Sequence, residues 1–263
     1  MKDIRIAEIR SFLLDLDGTL YLGKNWIPGA REFLARVTET GRQYCFLSNN
    51  SSRTTEEYVE KFRAMGMEID PASQLIVSFH AMIDYLKLHF AGQSVYLLGR
   101  EALKREFEAD GIRIEEEHPD LVVTAFDTEL TYAKLTKVCD LVRSGLPYLA
   151  THPDFNCPTA DGFIPDLGSF AALIEASAGR KPDLVIGKPN RYIIDYARKV
   201  TGASAEETAV VGDRIYTDIA SGYNAGAASI LVLSGEANME DVRNSVIKPD
   251  RIVHSVADLI TEL

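Results

Sequence analysis

The chain has 263 residues, 46% of them hydrophobic and 25% charged, enough to bury a real core as one large domain or two modest ones. A formal net charge of −11 argues against broad binding to nucleic acid or to an anionic membrane surface, and no apolar stretch approaches the ~20 residues that span a bilayer. The first twenty residues do not resemble a signal peptide and the three cysteines (Cys45, Cys139, Cys157) lack metal-ligand spacing, so the expectation is a cytoplasmic protein with reduced thiols.

The first element is the apolar run 12–20, read as a strand buried on both faces that carries Asp15 and Asp17 at its carboxyl end. Gly18 lets the backbone turn and leaves amide donors for an anion. A helix begins near Pro28 with Ala30, Phe33, Leu34 and Val37 on one face, and Gly41 stops it. A strand at 44–47 ends in Ser48 and Asn49, after which Thr54 and Glu57 form a capping box for a helix stopped by Gly66. A third strand at 75–78 completes a β-α-β-α-β order, which implies right-handed crossovers and a parallel sheet.

From about residue 81 the pattern restarts. Strands at 95–98, 121–125 and 148–150 alternate with helices at 101–110 and around Leu135, Val138, Leu141 and Val142. Residues 151–168 form a turn-rich loop with His152, Asp154, Asp161 and Asp166, and a helix follows over 169–178. Strands then recur at 184–186, before Gly187 and Lys188; at 208–211, before Gly212 and Asp213; at 230–233; and near 251–253. No GxGxxG fingerprint is present, which counts against a dinucleotide enzyme.

Asp15 with Asp17, Ser48 with Asn49, Lys188, and Asp213 therefore fall at the carboxyl ends of four strands expected in one parallel sheet, where such sheets hold their ligands. Chemistry gives them roles. Asp15 is the candidate nucleophile, forming an aspartyl-phosphate, and Asp17 the general acid and base. Magnesium favours one or two carboxylates with further oxygens, so Asp15, Asp213 and the backbone carbonyl of Asp17 are the expected ligands. Lys188, Ser48 and the amides around Gly18 and Asn49 would hold the phosphoryl oxygens, and Asp218 would orient Lys188 or a metal-bound water. A calcium loop at Asp15–Gly18 is disfavoured by the buried strand before it.

Asp15-Leu16-Asp17-Gly18-Thr19-Leu20, Ser48-Asn49-Asn50-Ser51-Ser52, Gly187-Lys188-Pro189 and Gly212-Asp213-Arg214-Ile215-Tyr216-Thr217-Asp218 resemble, in order, the four motifs of the haloacid dehalogenase (HAD) superfamily, in wording most similar to its NagD-like branch. The resemblance implies an α/β fold: a Rossmann-like core of residues 1–80 and 183–263, with an inserted α/β cap at 81–182. It also implies Mg²⁺-dependent hydrolysis of a small phosphorylated metabolite, a sugar phosphate or nucleoside monophosphate, and a cap that mediates a homodimer. Ser48 stands where threonine is usual. His152 and Asp166 depart from the family's wording in a segment expected to face the leaving group, so His152, Asp154 and Asp166 become the candidate specificity residues. A phosphotransferase or mutase, and a non-catalytic phosphate sensor, are the competing readings.

Overall fold

A computed structural model describes residues 5–159 and 162–263. In chain order the elements are β1 (Ser11–Leu14), the small hairpin β2 (Tyr21–Leu22) and β3 (Asn25–Trp26), α1 (Ala30–Glu39), β4 (Gln43–Ser48), α2 (Thr55–Ala64), α3 (Pro71–Gln74) and β5 (Leu75–Val77). Next come α4 (Ser78–His89), β6 (Ser94–Leu98), α5 (Glu101–Ala109), β7 (Arg113–Ile114), β8 (Leu121–Thr124), α6 (Tyr132–Arg143) and β9 (Tyr148–Ala150). The chain continues through β10 (Asn156–Thr159), β11 (Gly162–Pro165), α7 (Leu167–Ala178), β12 (Leu184–Val185), α8 (Tyr192–Thr201) and β13 (Thr208–Gly212). A π-helical turn (Ile215–Ile219) then leads into α9 (Ala220–Ala225), β14 (Ala228–Val232), α10 (Met239–Asn244) and β15 (Arg251–Val253). Among the described residues no helix is long and apolar enough to cross a membrane.

The elements form an α/β protein of two compact units. The first holds a six-stranded sheet in the order β15-β14-β13-β1-β4-β5, in which β1 pairs in parallel with β13 on one side and β4 on the other. Its core follows the apolar pattern of the sequence. Phe33 of α1 meets Phe12 of β1 edge-on at 5.5 Å, and Phe62 of α2 stacks on Phe46 of β4 at 4.4 Å. The second unit holds a parallel sheet in the order β12-β9-β8-β6-β7, against which Val138 and Val142 of α6 and Ile174 of α7 pack.

Several expectations shift. The strand expected over 12–20 ends at Leu14, because the carbonyl of Leu16 accepts the amides of Thr19, Leu20 and Tyr21 and folds the run into a turn. The strand expected at 184–186 is β12, which pairs with β9 in the second sheet. The second unit accordingly comprises Asn49–Tyr58 and Val77–Gly187, where 81–182 was expected. Two residues of sheet edge carry no signal for which sheet they join. The turn-rich loop 151–168 contains the antiparallel hairpin β10–β11, and α7 starts at Leu167, not at Ser169. Asp161, expected in that loop, lies outside the described residues.

Candidate active site

The chain leaves β1 toward β4 and β5 on one side and returns through β13, β14 and β15 on the other. The carboxyl ends of β1 and β13 therefore flank the topological switch point, where an open parallel sheet leaves a crevice. The Asp15 amide continues the ladder by donating to Val211 O at 2.9 Å, which fixes the backbone under the carboxylate. Lys188, only 3% exposed, donates from Nζ to Asp15 Oδ1 at 2.5 Å, Asp218 Oδ1 at 2.6 Å and Leu47 O at 3.4 Å. Lys188 does not come from the six-stranded sheet, as expected of it, since β12 before it belongs to the other one.

One lysine thus faces three carboxylates, Asp15, Asp213 and Asp218, whose ligand oxygens lie within 4.8 Å of one another. Burial pushes Asp15 well above the usual carboxylate range; Lys188 opposes the shift, while Asp218 and Asp213 reinforce it. Burial, then Asp218, raises Asp213 to about 6, against the amide of Glu236 and the charge of Arg214. Burial disfavours the Lys188 ammonium, but Asp15 and Asp218 outweigh it and hold the amine charged.

The three carboxylates differ in what they lack. Asp218 is fully engaged, Oδ1 with Lys188 and Oδ2 accepting the Arg214 amide at 3.1 Å, so it holds Lys188 in place. Asp213 accepts the Glu236 amide on Oδ2 at 2.7 Å, yet its Oδ1 is buried with no hydrogen-bond partner. A buried carboxylate oxygen without a donor is costly unless a cation meets it. The donor set, all hard oxygens beside an excess of negative charge, fits a divalent ion such as Mg²⁺. Asp15 and Asp213, with the Asp17 carbonyl expected from the sequence, would hold it.

Gly18 closes this corner. Its φ of +87° is a glycine conformation, and a Cβ there would sit 2.2 Å from Asp213 Oδ2, while its carbonyl accepts Ser234 Oγ at 2.8 Å. Gly18→Ala should therefore displace Asp213 and lower the melting temperature; a variant with wild-type melting and activity would show that the corner yields. Ser48 ends β4 as a buried residue. Asp17 lies outside the buried cluster, its side chain 52% exposed, with Oδ2 3.9 Å from Lys61 Nζ. Lys61 escaped the sequence reading, since a lysine on an amphipathic helix carries no motif. Arg214 stands inside one of the quoted motifs but received no role there; its Nε lies 2.8 Å from a Glu236 carboxylate oxygen, an ion pair.

The second unit gathers the remaining candidates. Asn49 is buried and donates through Nδ2 to Asp154 Oδ2 at 3.1 Å. His152 and Asp166 are also buried, their Nε2 and Oδ1 2.9 Å apart. Asp166 Oδ1 additionally caps α7 by accepting the Leu167 amide at 2.6 Å. On the far side of the imidazole, Nδ1 meets Thr151 Oγ1 at 3.0 Å, Thr151 meets Ser51 Oγ at 3.1 Å, and Ser51 accepts the Phe126 amide at 2.9 Å. These bonds give His152 and Asp166 a structural task, so Asp166→Gly should cost about 2–4 kcal/mol from a lost cap and an unpaired buried imidazole. Every ester should then slow alike. Reordered substrate preference at unchanged melting temperature would restore the specificity role expected of Asp166.

A haloacid dehalogenase-like hydrolase family model matches residues 12–113, and a HAD-hydrolase-like model matches residues 185–259. An acid sugar phosphatase of Staphylococcus aureus is 35% identical over 259 residues, 98% of this chain and 99% of that protein. The crystal structure of 4-nitrophenylphosphatase from Thermotoga maritima superposes with a TM-score of 0.93 at 44% identity, covering 97% of this chain and 98% of that one. NagD from E. coli K-12 superposes at 0.87 with 33% identity, covering 95% and 98%. With the four motifs in order, a parallel sheet whose switch point carries Asp15, and whole-length similarity of this degree, the chain belongs to the haloacid dehalogenase-like hydrolases, in their NagD-like branch.

Proposed function

We propose that this protein is a cytoplasmic Mg²⁺-dependent phosphatase that hydrolyses small phosphate monoesters, sugar phosphates or nucleoside monophosphates, through an aspartyl-phosphate on Asp15. The observation that carries the reading is the group of Asp15, Lys188, Asp218 and Asp213 at the switch point, with Lys188 bonded to two of its three carboxylates and a buried Asp213 oxygen without a hydrogen-bond partner. The names of the relatives, acid sugar phosphatase and 4-nitrophenylphosphatase, support the same reaction class.

In this mechanism a carboxylate oxygen of Asp15 attacks phosphorus while the bond to the leaving oxygen breaks, and Asp17 gives that oxygen a proton. Asp17 then takes a proton from the water that cleaves the acyl-phosphate, returning Asp15 to its carboxylate. Lys188 holds Asp15 and offsets charge on the phosphoryl oxygens, and Asp218 keeps the lysine aimed. Bound by Asp15 and Asp213, Mg²⁺ would supply the positive charge that lets one anion approach another. Substrate choice we assign to the second unit, where Asp154, only partly buried, is the accessible one of the three residues singled out from the sequence.

The test is turnover of p-nitrophenyl phosphate and of a panel of sugar and nucleoside phosphates, with Mg²⁺ and with chelator. Metal-dependent release of inorganic phosphate is expected. Transfer to an added sugar in preference to water would instead make it a phosphotransferase, and tight binding without turnover a sensor. Asp17→Asn should slow alkyl phosphates about 10²- to 10⁴-fold and p-nitrophenyl phosphate less, because a good leaving group needs little protonation.

A further inference from the structure

The segment that follows β14 wraps Asp213. The Glu236 amide donates to Asp213 Oδ2 at 2.7 Å, and the Ala237 amide donates to the Asp213 carbonyl at 3.1 Å. Ser234 Oγ donates to Gly18 O at 2.8 Å, and a Cβ added to Gly235 would lie 2.0 Å from Asp213 Oδ2. The side chain of Glu236 then reaches back to the turn after Asp213. Its Oε1 accepts Tyr216 Oη at 2.8 Å, and its Oε2 lies 2.8 Å from Arg214 Nε. Arg214, the residue after Asp213, has a side chain only 23% exposed and is a second cation beside the acidic cluster, its charge acting on both Asp213 and Asp15. Yet Asp213 Oδ1 is buried and accepts from no donor. A bare carboxylate oxygen attracts any cation within reach, and a guanidinium cannot shed its charge. Arg214 is paired instead with a glutamate whose other oxygen Tyr216 holds.

We propose that Glu236 is a positioning residue for the divalent ion. Its carboxylate neutralises Arg214 and holds the guanidinium off Asp213 Oδ1, while its amide fixes Oδ2, so that Oδ1 stays open to Mg²⁺. The inference rests on the reading of Asp213 as a metal ligand. Without the charge of Glu236, Arg214 is an unpaired cation next to Asp213 and competes with the metal for the same negative charge. With Arg214 also gone there is no competitor, and loss of the glutamate matters little. A glutamate that merely stiffened the segment would behave in the opposite way, because removing its partner as well would deepen the defect.

The experiment takes full-length Glu236→Gln, Arg214→Met and the double variant and titrates each with Mg²⁺ in two ways. One is the rise in melting temperature without substrate; the other is the Mg²⁺ concentration for half-maximal turnover of p-nitrophenyl phosphate. Glu236→Gln keeps an acceptor for Tyr216 and the amide on Asp213, and loses only the charge. It should need about fivefold more Mg²⁺ in both readouts, with kcat at saturating Mg²⁺ within about twofold of the wild type. Arg214→Met should need no more Mg²⁺ than the wild type, and the double variant should return to within about twofold of it. An unchanged Mg²⁺ requirement in Glu236→Gln, a loss confined to kcat, or a double variant worse than Glu236→Gln would overturn the proposal. Should Glu236→Gln fold poorly, Arg214→Met alone decides: a several-fold higher Mg²⁺ requirement would make Arg214 a support of the site, where a competitor is expected, and end the proposal. Asp213→Asn separates the inference from the reading beneath it. If that variant keeps an undiminished Mg²⁺ response, the metal ligand fails and the inference falls with it; if it loses the response while Glu236→Gln binds Mg²⁺ like the wild type, only the inference fails.

Discussion

Asp15→Asn should fold like the wild type and lose phosphatase turnover by about 10⁴-fold or more, the scale on which removal of a nucleophile acts. The substitution is nearly isosteric. Its backbone amide still pairs with Val211 O, and its side-chain oxygen still accepts from Lys188, so the geometry at the end of β1 survives. What disappears is the anion that, in the proposed mechanism, attacks phosphorus, and with it the acyl-phosphate. Removing one of three carboxylates beside a single lysine also relieves repulsion, so the variant should melt no lower than the wild type at neutral pH. The pair of measurements is turnover of p-nitrophenyl phosphate by a preparation verified by mass, and a thermal melt. Appreciable turnover would end the covalent mechanism, and a large drop in melting temperature would recast Asp15 as a structural group.

How much of this was legible in the sequence depends on whether the signal was local. The capping box was: Thr54 accepts an amide with Glu57 as its reciprocal partner, both read from two residues three apart. The apolar stripe of α1 is buried at the four positions its periodicity names, Ala30, Phe33, Leu34 and Val37. Asp15 and Asp213 stand at strand ends because all-buried strands announce themselves as continuous apolar runs. Partner choice was not legible. Two half-buried residues at 184–185 look alike whichever sheet they join, and joining β9 is what moves the boundary of the second unit to Gly187. Pro158 and Pro165 lie in the stretch read as a turn-rich loop, yet both are accommodated in an isolated two-stranded ribbon. Asp166 read as a turn residue, but three local facts, an aspartate, a following apolar run and a buried histidine fourteen residues earlier, meet only in three dimensions. Lys61 shows the same limit: its hydrogen-bond partner Tyr21 comes from a hairpin forty residues away.

Removing metal should turn the acidic cluster into a liability above about pH 6, and Asp213→Asn should weaken the dependence, leaving the part that Asp15 contributes. Asp213 titrates at about 6 in the fold, above the unfolded 3.8, because its carboxylate is buried beside Asp218. A raised carboxyl pKa stabilises the fold fully below the unfolded value, and that contribution is lost as pH rises through the folded one, about 3 kcal/mol in all for Asp213. Asp15 shifts in the same direction. In chelator the melting temperature should therefore fall between pH 4 and 7, where a protein stabilised by paired carboxylates would gain. Added Mg²⁺ should raise it again, and by more at pH 8 than at pH 5, since an ion that binds carboxylates competes with protons. Asp213→Asn should abolish most of that Mg²⁺-dependent rise and raise the metal concentration for half-maximal rate at least about tenfold. In chelator at pH 8 it should melt no lower than the wild type, because an amide replaces a buried, unpaired charge. Calcium should occupy the site and stabilise, yet inhibit, since its larger and looser coordination shell misplaces the attacking carboxylate. A chelated wild type equally stable from pH 5 to 8, or an Asp213→Asn variant with an undiminished Mg²⁺ response, would remove Asp213 from the metal's ligands and leave its bare oxygen without an explanation.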